Sequence, residues 1–410
     1  MNASLSHFRP VPKVVIQLTG SKSETNRLRI LRAIYPLLDI KNESDSDDAR
    51  VLAMSLQSDQ SVIDCGMAGT AFRFLTAYLA SKPGSTKTLT GSARMQQRPI
   101  GPLVHALRAW GARITYLQEE GFPPLRIEGT ELLPVAIEVD ASTSSQFITA
   151  LLLIAPSLKQ PIQLELQGLV SSRPYISMTL QLLEEIGVEV AETSTQITVH
   201  PFLLNQRKTI TVESDWSSAS YYYSLIAFSP IGTSIQLTYL KPDSRQGDQK
   251  GLQVFQQLGV ISEFETGGTL RLTKVAAILP EKWNIDCTDC PDLAPTLVVA
   301  ALGLGVSGNF TGLHTLRIKE TDRIVALKNE LEKLGAEVAV GPDFLRLTSP
   351  KSLIEDVHIS TYDDHRMAMA FAPLGALLPI HIEHAAVVSK SYPSFWDDFK
   401  KAGMSISFES

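Results

Sequence analysis

One phrase recurs along the chain and limits what it can fold into: an amphipathic helix, a glycine, then a short strand. It reads Leu107-Arg108-Ala109-Trp110-Gly111-Ala112-Arg113-Ile114, and again Leu183-Glu184-Glu185-Ile186-Gly187-Val188-Glu189-Val190. It returns as Gln257-Leu258-Gly259-Val260-Ile261, as Leu331-Glu332-Lys333-Leu334-Gly335-Ala336-Glu337-Val338, and as Lys401-Ala402-Gly403-Met404-Ser405-Ile406. A glycine at that point ends a helix by taking the left-handed conformation that side chains disfavour. The spacing, roughly 70–75 residues, is too long for a solenoid unit and marks an internal repeat of an α/β module.

A second device runs in phase with the first: a polar or glycine-containing start, then a strongly apolar helix. The starts are Gly20-Ser21-Lys22-Ser23, Gly66-Met67-Ala68-Gly69-Thr70, Ser144-Ser145-Gln146, Ser217-Ser218, Pro291-Asp292 and Asp364-His365-Arg366. Phe147 to Ala155 and Leu297 to Leu304 are apolar nearly all round, the pattern of buried helices. Six starts imply six modules, the first truncated or split, arranged most simply as two lobes of three. The middle of the chain falls near Ser214-Asp215, where no Gly/Pro-rich linker occurs. Buried helices running parallel would turn their positive ends to one cleft, a setting for a substrate with several negative charges.

The first of these starts carries its own chemistry. The apolar run Val14 to Leu18 reads as a buried strand, and Leu28, Leu31, Ile34 and Leu38 continue as a helical stripe. Ser21 or Ser23 can cap that helix, Lys22 adds a mobile cation, and Ser23 and Arg27 share a face one turn apart. Cations also stand at the starts of the surface helices: Arg98 before Pro99, Arg173 before Pro174, Lys319 and Arg323, and Lys390 before Pro393, with Pro242-Asp243 marking a further start. They oppose the helix dipole, so the series predicts anions that compensate them.

Composition narrows the function. A net charge of −6 and a pI near 5.8 argue against a broad nucleic-acid surface. No long uncharged apolar run is present to span a membrane, and no Lys/Arg-led signal segment opens the sequence. Three cysteines, Cys65, Cys287 and Cys290, do not describe a disulfide framework, and one Cys-x-x-Cys lacks the second pair of a zinc site. The expectation is a cytoplasmic enzyme or binding protein.

Lys319, Glu320 and Arg323 fall within one turn, and Tyr362-Asp363-Asp364-His365-Arg366-Met367-Ala368 is polar and then abruptly apolar. Separately these are an ordinary ion-pair helix and an ordinary N-cap. Together with Gly20 to Arg27, Ala68 to Ala71, Gln97 to Ile100, Ser144 to Gln146, Ser172 to Tyr175, Pro291-Asp292 and Lys390 to Pro393, they resemble the 5-enolpyruvylshikimate-3-phosphate synthase family of enolpyruvyl transferases. The matching segments lie in order across essentially the whole chain.

The resemblance implies a two-lobed, inside-out α/β barrel, each lobe three βαβαββ-type repeats, with the active site in the interdomain cleft. One lobe would span residues 20–213, and the other residues 1–19 with 214–410. It implies transfer of the enolpyruvyl group of phosphoenolpyruvate to the 5-hydroxyl of shikimate 3-phosphate, by addition and elimination, with release of phosphate. Shikimate 3-phosphate would meet Lys22, Ser23, Arg27, Ser144, Ser145, Gln146, Ser172, Tyr175, Asp292 and Lys319. Phosphoenolpyruvate would meet Lys22, Gly69, Arg98, Gln146, Arg323, Arg366 and Lys390. Both substrates carry a phosphate and a carboxylate, which the planar fork of arginine suits. Lys22, Asp292, Glu320 and His365 are the catalytic candidates, with Asp292 near the hydroxyl and Glu320 at C3. The resemblance implies a monomer with neither cofactor nor metal, and no nucleic-acid or membrane partner.

Two positions depart from the family pattern. Met67 stands where asparagine is frequent, which bears on inhibitor sensitivity, and Thr315 replaces an asparagine four residues before Lys319. A sister transferase acting on UDP-N-acetylglucosamine uses a cysteine in the loop before its Arg-Pro; here Ser92 to Gln97 contain none. A non-catalytic phosphometabolite-binding protein would have no use for the acid–base set of Lys22, Asp292, Glu320 and Arg366.

Overall fold

The computed structural model describes residues 1–140, 144–168 and 172–409. The chain divides into two compact units, residues 21–212 and residues 1–20 with 213–410. Each has its own apolar core. The second unit is therefore assembled from two separate stretches of chain.

The repeat is visible as sheet topology. In the 21–212 unit, Ile137–Asp140 pairs in parallel with Ile162–Gln167, then Gln196–Val199 and Val190–Glu192 continue the sheet antiparallel. Val62–Asp64, Thr86–Thr90, Leu125–Glu128 and Arg113–Tyr116 repeat the same order. Lys282–Asp286, Ser307–Thr311, Leu345–Thr348 and Glu337–Val340 repeat it in the other unit. A parallel pair needs a crossover, and in each module the buried helix supplies it. The second, surface helix then leads into the antiparallel hairpin. Alternation fixes which face of the sheet is buried: Leu345 and Leu347 point inward while Arg346 and Thr348 are exposed.

Two sheets recruit strands from the start of the chain. Val15–Gln17 pairs in parallel with Ser234–Thr238, and Asn2–Phe8 lies between Ile380–Ile382 and Met404–Glu409. Among the described residues the sixth sheet consists of Leu38–Lys41 and Lys208–Thr211, in parallel. This is the split module: one of its strands comes from the far end of the 21–212 stretch. Where the two connections leave the 1–20/213–410 unit they are tied together. Gly20 and Ser214 form an antiparallel bridge, and the Asp215 amide donates to the Thr19 carbonyl at 3.0 Å. Glu213 beside them is buried and accepts bonds from Trp216 Nε1, the Lys241 amide, Ser244 and Gln246.

Helix faces follow composition. All twelve residues of Trp216–Ala227 and all seven of His365–Phe371 are buried, whereas Arg173–Ile186 buries one face only. The five repeat glycines all have positive φ, between 77° and 117°. Gly403 is the most constrained: a Cβ there would lie 1.9 Å from the Arg9 carbonyl oxygen. The surface helix expected from Pro242 begins later, as a short turn at Gly247–Lys250 leading into Gly251–Gln256. The Ser217-Ser218 start is capped two residues earlier, by Asp215, which accepts from the Ser218 amide at 2.8 Å. Among the described residues no helix is long and apolar enough to cross a membrane, and no group of three or more His, Cys, Asp or Glu could hold a metal ion.

Candidate active site

In the 21–212 unit, three helix starts carry the residues read from the sequence. Ser21 caps Lys22–Ile34, accepting from the Glu24 amide, which leaves Lys22 and Ser23 in the first turn. Lys22 Nζ is 3.1 Å from Asp48 Oδ2. Arg27 is buried and donates in every direction: Nε to Thr179 Oγ1 at 2.8 Å, one terminal nitrogen to the Ser23 carbonyl at 2.8 Å, the other to the Tyr175 carbonyl at 2.9 Å. Burial lowers its pKa to about 10, against the opposing pull of Tyr175 and Glu24. Thr149 and Thr179 bring the helices Ser145–Ile154 and Arg173–Ile186 to the same guanidinium. Ser144 caps the first of these, accepting from the Gln146 amide, and Gln146 donates through its side chain to Thr70 at 3.2 Å. Ser145 is buried. Ser172 stands at the start of the second with φ +56° and makes no capping bond, so its hydroxyl is not committed to the helix.

Gly69 opens the Gly69–Ala80 helix under two arginines. A Cβ on Gly69 would lie 2.6 Å from an Arg98 nitrogen and 2.7 Å from an Arg73 nitrogen, so a side chain there would push both guanidiniums aside. Both arginines are buried, Arg73 lying over the Phe147 ring at 5.5 Å. Two guanidiniums beside an uncapped helix start form a strongly electropositive seat. Arg73 is a further cation of this seat, and its place one helical turn after Gly69 is its signal in the sequence. Asp48 gave no such signal, being 26 residues from Lys22.

The other unit gathers four cations and three carboxylates. Arg323 is the centre, with its side chain 2% exposed. Its Nε is 2.6 Å from Asp364 Oδ2, one terminal nitrogen 3.0 Å from Asp292 Oδ1, and the other 2.9 Å from Glu320 Oε2. Arg366 donates to Asp292 Oδ2 at 2.9 Å and to its carbonyl at 3.2 Å. Lys319 Nζ is 3.6 Å from Asp292 Oδ1, and Lys390 Nζ 3.2 Å from Glu320 Oε1. Burial pulls the Arg323 pKa down, but Asp364, Glu320 and Asp292 together outweigh it and leave it above the usual arginine range. Asp292, in the short turn Pro291–Leu293, and Glu320 are thus each held between cations, with one cation in excess over the cluster. Asp248 adds a group that titrates near neutrality: burial first, then the charge of Asp292, raise its pKa to about 7.

His365 is 1% exposed in the first turn of its helix, with Nδ1 3.7 Å from Asp364 Oδ1. Thr315 is buried and Met67 half-buried. Arg173, counted in the sequence among cations awaiting an anion, forms an ion pair with Glu192 and needs no ligand. Cys287 and Cys290 are buried free thiols.

The family model for EPSP synthase (3-phosphoshikimate 1-carboxyvinyltransferase) matches residues 25–399. The 3-phosphoshikimate 1-carboxyvinyltransferase of Bacteroides fragilis is 49% identical over 400 residues, covering 96% of each chain. That of Nitrosomonas europaea is 36% identical, covering 94% of this chain and 95% of its own. Among solved structures, EPSP synthase from Acinetobacter baumannii superposes with a TM-score of 0.78 over 99% of this chain and 100% of its own, at 21% identity. The enolpyruvyl transferase NikO from Streptomyces tendae gives 0.74 at 13% identity, covering 99% of this chain and 98% of its own. The family model over residues 25–399 and the 49% identity over 400 residues make this chain a member of the EPSP synthase (3-phosphoshikimate 1-carboxyvinyltransferase) family.

Proposed function

We propose that the two groups of side chains divide the work of enolpyruvyl transfer. The reaction itself is that of the family: the enolpyruvyl group of phosphoenolpyruvate passes to shikimate 3-phosphate and phosphate is released. Ser23, Arg27, Ser144, Ser145, Gln146, Ser172 and Tyr175 bind shikimate 3-phosphate, and Asp292 and Lys319 take its ring hydroxyls. Gly69 and Arg98, with Arg73 added, and Arg323, Arg366 and Lys390 bind phosphoenolpyruvate, while Lys22 and Gln146 serve both substrates. The functional lobes are taken as residues 20–213 and as 1–19 with 214–410. The same reading has the chain act as a cytoplasmic monomer without cofactor.

The 5-hydroxyl oxygen attacks C2 of the enol while C3 gains a proton. C2 then carries the new ether, the phosphate, the carboxylate and a methyl group. Phosphate leaves as C3 returns a proton, restoring the double bond, and the hydroxyl proton departs with it as hydrogen phosphate. Asp292, assisted by Lys22, takes the hydroxyl proton, and Glu320 gives and recovers the proton at C3. His365, whose Nδ1 is 3.7 Å from Asp364 Oδ1, is the remaining catalytic candidate. The observation that carries this assignment is the pairing of Asp292 and Glu320 on opposite terminal nitrogens of one buried guanidinium, Arg323. Two carboxylates so fixed can serve two different atoms of one substrate pair.

The test is phosphate release in metal-free buffer containing a chelator. Release is expected with phosphoenolpyruvate and shikimate 3-phosphate together, and with neither alone. Release with UDP-N-acetylglucosamine as acceptor, or a need for an added divalent ion, would overturn the assignment.

A further inference from the structure

We infer that Tyr362 and Glu330 form a clamp that positions Asp364, and through it Arg323, for the transfer reaction; the inference rests on the functional reading given above. Tyr362 and Asp363 both have left-handed backbones, φ +53° and +55°. Neither is glycine, and two such residues in succession are disfavoured by contact between Cβ and the following carbonyl. A turn of this kind persists only where its surroundings hold it. It stands directly before Asp364, the residue that caps His365–Phe371 and takes Arg323 Nε at 2.6 Å.

One carboxylate holds the turn from both sides. Glu330 is fully buried. Its Oε1 accepts from the Tyr362 hydroxyl at 2.6 Å, and its Oε2 accepts from the Ser360 amide at 3.0 Å and from Lys333 Nζ at 2.6 Å. The Asp364 amide closes the turn on the Thr361 carbonyl at 2.8 Å. Glu330 and Arg323 lie on the same helix, Arg323–Lys333, about two turns apart. That helix therefore grips the segment twice: Glu330 sets the backbone of residues 360–362, and Arg323 takes the side chain that the turn presents. Without the first grip, the second depends on a strained turn with a relaxed alternative. A displacement of about 1 Å in a group that orients a substrate is enough to cost large factors in rate. Tyr362 is a positioning residue: its hydroxyl is spent on Glu330, and it acts only through Asp364.

The experiment compares wild type, Tyr362→Phe, and Tyr362→Phe combined with Asp363→Gly. Phenylalanine removes the hydroxyl alone, at a ring that is 37% exposed, so folding is retained. Hydrogen exchange should rise about tenfold or more at the amides of Asp364 to Arg366. The KM for phosphoenolpyruvate should rise about tenfold, while shikimate 3-phosphate binding, read by calorimetry, stays within twofold. Glycine at 363 accepts the positive φ freely and should return most of both losses. Unchanged exchange in Tyr362→Phe would overturn the clamp whatever the activity. Faster exchange with an unchanged KM would overturn its role in the reaction while leaving the proposed function intact. A wild-type protein that holds the turn but transfers no enolpyruvyl group would instead remove the functional reading, and the positioning claim with it.

Discussion

Replacing Arg323 with alanine is expected to lower kcat/KM by about 1000-fold or more and stability by about 3–5 kcal/mol. The guanidinium holds Asp292, Glu320 and Asp364 together, and Asp364 is fully buried. Its removal leaves a buried carboxylate without its cation, the most damaging way to break a buried pair. It also frees Asp292 and Glu320 from their common anchor, so both proton positions are lost at once. Arg323→Lys keeps the charge but lacks the planar fork, whose three separate nitrogens reach the three carboxylates; an activity loss of about 100-fold is expected with less loss of stability. Adding Asp364→Asn to Arg323→Ala should recover part of the lost stability, since it removes the charge left unpaired. Urea unfolding and steady-state kinetics on the same preparations decide the matter. An alanine variant within tenfold of wild type in kcat/KM would show that Arg323 is not the organising centre.

Glu320→Gln is expected to lose about 100-fold or more in turnover while retaining most of the substrate affinity. The side chain lies between Arg323 and Lys390, with one oxygen on each. Glutamine keeps the volume and one acceptor oxygen, so the neighbouring arginine can stay in place. It has no proton to give to C3 and none to recover. Calorimetry should give binding close to wild type, and rapid quench should give slow formation of product. Near-normal turnover in this variant would take Glu320 out of the mechanism.

Much of the fold was legible because the repeat is written in residue types that act locally. Gly187 and Gly403 end their helices through positive φ, a property of glycine that needs no tertiary context. The buried helices declared themselves by being apolar all round, as Leu151 to Ile154 show. The helix starts were legible for the same reason, with Ser21, Ser144 and Asp364 capping where their side chains allow. What escaped the sequence is set by topology. Asp292 meets Arg366 across 74 residues, and Asp364 meets Arg323 across 41, distances that no local pattern spans. Cations at helix starts signal compensating anions, but not which ones. Glu192 satisfies Arg173, and three of the chain's own carboxylates surround Arg323. The late start of the helix after Pro242 has a local cause. Gln246 donates to Glu213 and to the Ser214 carbonyl, and its own backbone is extended, so the helical turn begins only at Gly247.

The central claim is that the enol carbon is protonated and then deprotonated during transfer, with Glu320 carrying the proton. A single turnover in deuterium oxide, quenched within milliseconds and analysed by mass spectrometry, tests it most directly. The proton that Glu320 delivers is drawn from solvent, so C3 receives deuterium and becomes a methyl group bearing one deuteron and two protons. Loss of one of the three hydrogens then leaves deuterium at C3 in most of the product. Wild type should show that label, and Glu320→Gln should show neither label nor product on the same timescale. Product formed at the wild-type rate with no solvent deuterium at C3 would contradict the account.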